Sequence, residues 1–205
     1  MCLHYTLIIH NTDSLSIKFF ADILNLMKYI SIVLCGPVAS GTSTAAKALA
    51  AKLNLEYHSV GEFFRDYMKK HNIPLPAKEK VPDDVEREVD GKLTQLLAAK
   101  KAVIIDGLYQ AYFARHMPHV LKVLLTADEN VRIKRALERT HTHKETAGDV
   151  KKRDLAHDAK FRKLYANENF LDPKFFDLII DTTNTQQEKV SEKISEKFLS
   201  SRSTG

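Results

Sequence analysis

The stretch that decides the fold begins as the apolar run Tyr29-Ile30-Ser31-Ile32-Val33-Leu34-Cys35 and continues as Gly36-Pro37-Val38-Ala39-Ser40-Gly41-Thr42-Ser43-Thr44. The first part, rich in β-branched residues and closed by glycine, reads as a buried strand over residues 28–34. Beyond Gly41, apolar side chains recur on one side at Ala45, Ala46, Ala48, Leu49 and Leu53, so a helix starts at Thr42 or Ser43. Strand, glycine-bearing turn and helix in that order make a cradle for phosphate, because backbone N–H groups and the positive end of a helix converge on one point. The usual spacing is G-x-x-x-x-G-K-[ST]. Gly36, Gly41 and Ser43 occupy their places, but Thr42 stands where the lysine belongs. Threonine donates one neutral hydrogen bond and does not replace an ammonium group at the β- and γ-phosphates. A glycine-rich turn that merely starts a helix is the plainer reading of the same residues.

Working outward, the chain alternates. Leu55 to His58 reads as a short strand, and Ser59 with Glu62 three residues on forms a capping-box pattern for a helix to about Lys70. Three prolines mark residues 71–82 as a connection, and 83–100 is helical, with Val85, Val89, Leu93, Leu96 and Leu97 on its apolar side. Strands follow at 102–105, closed by Asp106-Gly107, and at 120–125, then a helix over 128–140. The polar region 141–169 reads as mostly helical and exposed, with a last strand at 176–180 and a terminal helix at 185–199. Five short apolar strands alternating with helices imply an α/β, three-layer fold: a parallel sheet covered on both faces. Ligands in such folds gather at the carboxyl ends of the strands, which is where Gly36, Ser59 and Asp106 fall.

Composition narrows the class. The chain has 205 residues, 44% of them apolar, enough for one compact domain with a real core. No stretch approaches the roughly 20 apolar residues that span a bilayer, so no membrane association is expected. Two cysteines, Cys2 and Cys35, exclude a disulfide framework and a four-thiolate zinc site, and point to a reducing cytoplasm. A surplus of five positive charges, without a basic tract or finger, gives no reason to expect nucleic acid as a partner. Residues 1–28 read as a leader or appendage ahead of a body at 29–199, and 200–205 as a flexible tail. His141 and His143 lack a third ligand and read as a solvated turn. No heptad pattern stands out, so a monomer or weak homodimer is expected.

With these motifs in order, the chain resembles the nucleoside monophosphate kinases of the adenylate and cytidylate kinase group, most of all cytidylate kinases of the archaeal type. The resemblance rests on the loop from Gly36 to Thr44, Ser59-Val60-Gly61-Glu62-Phe63-Phe64-Arg65, Ile105-Asp106-Gly107, the arginine-bearing helix at 128–139, Arg153-Asp154 through Arg162 to Tyr165, and Phe176 to Thr182. It implies a P-loop fold with a monophosphate-binding region at 59–100 and an arginine-bearing lid at 140–169. The activity it implies is phosphoryl transfer from ATP, with Mg2+, to a small nucleotide, CMP or dCMP above others. Gly36, Ala39, Ser40, Gly41, Thr42, Ser43 and Thr44 would hold the ATP phosphates; Ser59, Gly61, Arg65, Gly107 and Tyr109 would hold the monophosphate. Ser43 and Asp106 would organise the metal, partly through water. Arg135, Arg153 and Arg162 would close on the transferring group with Asp106, and Arg132 and Arg139 lead into the lid. Arginine suits such work because its planar fork meets phosphate bidentately and stays charged.

The sequence departs from the family at two places. Thr42 replaces the loop lysine, and Leu108-Tyr109-Gln110 follows Asp106-Gly107 where relatives commonly place an arginine. Both departures remove positive charge. They leave open a nucleotide-binding protein impaired in transfer, and a kinase of another small acceptor.

Overall fold

The computed structural model describes residues 28–75, 77–138 and 146–200. The leader, Arg139, the His141/His143 pair and residues 201–205 lie outside the described residues. The elements, in order, are β1 (Ser31–Cys35), α1 (Thr42–Leu53), β2 (Glu56–Ser59), α2 (Val60–Lys70), a 3-10 turn at Lys78–Lys80, α3 (Asp83–Ala98), β3 (Val103–Asp106) and α4 (Gln110–Phe113). They continue with β4 (Val120–Thr126), α5 (Glu129–Leu137), α6 (Ala147–Leu164), a 3-10 turn at Pro173–Phe175, β5 (Leu178–Asp181) and α7 (Gln187–Leu199).

All five strands are parallel, in the order β2-β3-β1-β4-β5. Alternation along β1 explains the layers. Ile32 and Leu34 point to one face, where Ala45, Ala46 and Leu49 of α1 and Val190, Ile194 and Phe198 of α7 cover them. Val33 and Cys35 point to the other, under Leu93 and Leu97 of α3 and Ala111 of α4. Burying one such leucine or isoleucine contributes roughly 1.5–3 kcal/mol, so both faces must be covered for the sheet to persist. The chain therefore adopts the three-layer α/β fold that its alternation implies. Cys35 is a free, buried thiol donating to the Gly107 carbonyl at 2.9 Å, and burial pushes it up to about 12.

Three local expectations need correction. β5 starts at Leu178 rather than Phe176, because Phe176 closes the preceding turn onto Pro173 and the Asp177 carboxylate takes the Lys122 N–H at 2.9 Å. Ser59 does cap α2, accepting from the Glu62 N–H at 3.1 Å, but the Glu62 side chain pairs with Lys47 at 2.7 Å, so the reciprocal half of the capping box is not made. The 141–169 region is helical over Ala147–Leu164 but not uniformly exposed. Phe161 is fully buried in an aromatic cluster with Tyr109, Tyr112, Phe170 and Phe175, and Lys160 reaches the Val81 carbonyl and the Asp83 carboxylate, each at 2.6 Å. Asp83, held at about 2 by Lys160 and Lys163, fastens α6 to the start of α3. Among the described residues, no helix is long and apolar enough to cross a membrane.

Candidate functional site

The strand register brings the chemistry together. Leu34 of β1 and Ser59 of β2 both pair with Asp106 of β3, so the loop after β1, the cap of α2 and the acid ending β3 meet at one edge of the sheet. The loop is shaped by its small residues. Gly41 has φ 99°, a left-handed conformation that glycine adopts without strain. A side chain on Gly36 would collide with the Leu125 carbonyl and the Ser40 side chain. Ala39 holds φ 64° without being glycine, a strained conformation of the kind that concentrates at functional sites.

Helix α1 starts at Thr42 with no side-chain cap and no acid in its first turn. The N–H groups of that turn lack intrahelical acceptors, and no carboxylate of the helix offsets its positive end. The Ser43 hydroxyl donates to Asp106 Oδ2 at 2.5 Å, and the Tyr57 and Ser59 hydroxyls approach the same oxygen at 3.5 Å. Burial raises the Asp106 carboxyl above its ordinary range, opposed by hydrogen bonds from Ser43 and Thr42 and by the charge of Arg65. Thr42, the position that departs from the phosphate-loop pattern, thus sits beside Asp106 and favours its charged form.

Two clefts flank the loop. The first is lined by the loop at Gly36 to Ala39 and Gly41 to Thr44, by Asp106 and Gly107, by Gly61, Phe64, Arg65 and Met68 of α2, and by Lys78, Glu86, Tyr109, Arg153 and His157. The second brings Ser40, Gly41, Ser43 and Thr44 together with Lys47, Arg65, Arg135, Thr182 and Gln187. Arg65 lines both. His157 is half-buried, and desolvation together with the charges of Lys78 and Arg153 holds it well below its ordinary value.

The arginines separate into distinct positions. Arg65 and Arg153 line the first cleft, and Arg135 the second, where it donates to the Thr182 hydroxyl at 3.0 Å and carbonyl at 2.6 Å. Thr182 in turn donates to the Ser40 carbonyl at 2.9 Å, tying Arg135 to the loop. Arg132 is buried and donates to the Val38 carbonyl at 2.9 Å and Asp154 at 2.8 Å, while Asp154 also accepts the Val38 N–H at 3.0 Å. It clips α6 to the loop and lines neither cleft. Arg162 lies on the exposed side of α6, bonded to Asp158 at 2.7 Å and Asn167 at 2.8 Å, and also lines neither cleft. Tyr109 does border the first cleft, but it is nearly buried, donates to the His157 carbonyl at 2.9 Å and packs on Phe161 and Phe170. Lys47, paired with Glu62, is not spare charge for the loop.

Sequence reasoning missed Lys78, Glu86 and Asp90. Glu86 and Asp90 continue the stripe of Leu93 and Leu97 on α3, and all four are buried. Two acids on a helix's core-facing stripe were the available signal; nothing local marked Lys78.

The donor set at Ser43 and Asp106 fits a hard divalent cation. Both offer oxygen, they lie 2.5 Å apart, and Asp106 is a buried carboxyl whose charged form burial disfavours. Among the described residues, no group of three or more His, Cys, Asp or Glu could hold a metal alone, so such an ion would draw its remaining ligands from phosphate and water.

Comparison with known proteins agrees with this geometry. A model of the cytidylate kinase-like family matches residues 77–184. A cytidylate kinase of Sulfolobus acidocaldarius is 31% identical over 169 residues, spanning 80% of this chain and 92% of the relative. One from Sulfurisphaera tokodaii is 28% identical, spanning 82% and 94%. Among solved structures, shikimate kinase from Acinetobacter baumannii superposes with a TM-score of 0.55 at 17% identity, covering 86% of this chain and 97% of that one. A gluconokinase from Sinorhizobium meliloti gives 0.54 at 17% identity, covering 82% and 90%. The last two speak for the fold alone. With the loop, the acid at the end of β3 and the arginine of α2 standing where the sequence motifs place them, the chain belongs to the cytidylate kinase-like family.

Proposed function

We propose that this protein transfers the γ-phosphoryl group of ATP to a nucleoside monophosphate, CMP or dCMP. The observation that carries the proposal is the first cleft, in which the phosphate loop, the Ser43–Asp106 pair, Arg65 and Arg153 line one space. Relatives at 27–31% identity named cytidylate kinase support the acceptor class. Phosphoryl transfer asks little covalent work of a protein; it needs positioned donors and positive charge around the equatorial oxygens. The first-turn N–H groups of α1 hold the donor phosphates. Arg65, lining both clefts, is placed to grip the acceptor phosphate next to the donor. Arg153 supplies positive charge from α6, and Arg135, held by Thr182, steadies the donor side. Ser43 and Asp106 would hold magnesium, which would supply positive charge to the donor phosphates. The docking of α6 onto α3 and onto Val38 brings Arg153 and His157 to the wall of the cleft.

Turnover with ATP and magnesium against CMP, dCMP, UMP, AMP, GMP and dTMP, read as diphosphate formed, tests this. A clear preference for CMP or dCMP is expected. The absence of the loop lysine favours a second reading, nucleotide binding without transfer; silence across the panel, with ATP binding retained by calorimetry, would establish that reading instead.

A further inference from the structure

We propose that the Lys78–Glu86 ion pair reads the base edge of the acceptor and selects a nucleobase carrying an exocyclic amine, cytosine within the monophosphate-kinase reading on which this inference rests. Both side chains line the same cleft as the phosphate loop, Arg65 and Asp106. Both are almost wholly buried, at 5% and 1% exposure, and they pair with each other. The Lys78 ammonium also lies over the Phe64 ring, 3.3 Å from its centroid.

Two charges in such a place are not explained by packing. Desolvating a buried ion pair costs about as much as the attraction returns, and apolar residues of similar volume do as well or better. Phe64, Met68 and Leu75, which line the same cleft, show that an apolar wall was available. The polar set extends behind the pair. Asp90, one turn further along α3, accepts from Gln110 Nε2 at 2.8 Å and from the Tyr165 hydroxyl at 2.7 Å. Asp90 stands behind the cleft wall with both oxygens occupied, so the wall itself presents one ammonium beside one carboxylate.

Such a pair suits a ligand edge that carries a donor beside an acceptor. Cytosine offers its N4 amine beside N3, a ring acceptor. The amine donates to Glu86, and Lys78 donates to N3. Uracil held in the same pose reverses the order, setting its O4 oxygen against the Glu86 carboxylate and its N3–H against the Lys78 ammonium, so neither pairs. Leaving a buried polar group unpaired is what lets a site reject a close analogue.

The test uses the full chain and the ratio of kcat/KM for CMP over UMP, with CMP and UMP binding by calorimetry as a second readout. Glu86→Gln replaces an obligate acceptor with an amide that also donates, and the ratio is expected to fall at least tenfold. The double variant Lys78→Met with Glu86→Leu removes the pair without stranding a charge and keeps the result decisive if the single variant does not fold. It is expected to melt no lower than wild type, bind ATP, and lose the preference for CMP in both readouts. A folded double variant with the wild-type ratio overturns the inference, as does a wild-type enzyme that uses UMP as well as CMP. A wild type silent on every monophosphate overturns the kinase reading itself.

Discussion

Replacing Asp90 by asparagine should remove a pH-dependent penalty from the folded state. Burial lifts the Asp90 carboxyl from 3.8 to about 6, against the hydrogen bonds from Tyr165 and Gln110 that favour its charged form. A carboxyl whose folded value is raised leaves stability intact below its unfolded value and loses it as pH climbs through the folded one. A rise of that size corresponds to about 3 kcal/mol, nearly all of it lost between about pH 4 and pH 7. The asparagine cannot ionise. Its carbonyl still accepts from Tyr165, and its amide can donate to Gln110 Oε1, a buried acceptor with no hydrogen-bond partner among the described residues. Rearranging these bonds costs about 1 kcal/mol at either pH. Asp90→Asn is therefore expected to be slightly destabilising near pH 4 and stabilising by about 2 kcal/mol near pH 7.5. For a chain of this length, the pH-dependent difference of about 3 kcal/mol is roughly 6–12 °C in melting temperature. Urea or thermal unfolding of both proteins across that range measures it. Other titrating groups cancel in the difference, including Asp83, whose lowered value acts with the opposite sign. Parallel stability profiles for the two proteins would refute the reasoning, because Asp90 would then titrate alike folded and unfolded.

Other expectations concern the loop and its surroundings. Arg65→Ala should weaken monophosphate binding at least tenfold more than ATP binding in calorimetry; equal loss of both would remove its assignment to the acceptor. Thr42→Lys brings an ammonium to the oxygens around Asp106 and should raise ATP affinity or kcat several-fold; no gain would mean the loop is built around a different arrangement. Arg132→Met strands the Asp154 carboxylate and the Val38 carbonyl, and should cost about 2–3 kcal/mol in urea unfolding, less than a fully buried pair because Asp154 keeps some solvent. An unchanged unfolding midpoint would show that α6 is held without this clip.

Much of the site was legible in the sequence because it depends on local pattern and strand register. The alternation of Ile32, Val33, Leu34 and Cys35, the glycines at 36 and 41, and the acid closing β3 each carry their structural meaning within a few residues. Once the strands are parallel, Gly36, Ser59 and Asp106 must come to one edge. The arginines were not separable in the same way. Arg132, Arg135, Arg153 and Arg162 all sit on polar helices, and spacing does not tell a buried clip from an exposed pair. That distinction arises only when α5 and α6 pack, placing Arg132 under Val38 and Asp154 and leaving Arg162 facing solvent. Lys78 and Glu86 were hidden for a related reason. Their partnership spans a turn and the start of a helix, and only the docking of α2 and α6 around them closes the wall in which they matter.

The most direct measurement follows ADP and CDP together in one reaction of the wild-type protein with magnesium, ATP and CMP. Transfer within the cleft around Ser43 and Asp106 requires the two products to rise in equal amounts, and to rise only when both nucleotides are present. ADP without CDP would mean that the loop hydrolyses ATP rather than passing the phosphoryl group on, and neither product would mean that a loop with Thr42 in the lysine position does not support transfer.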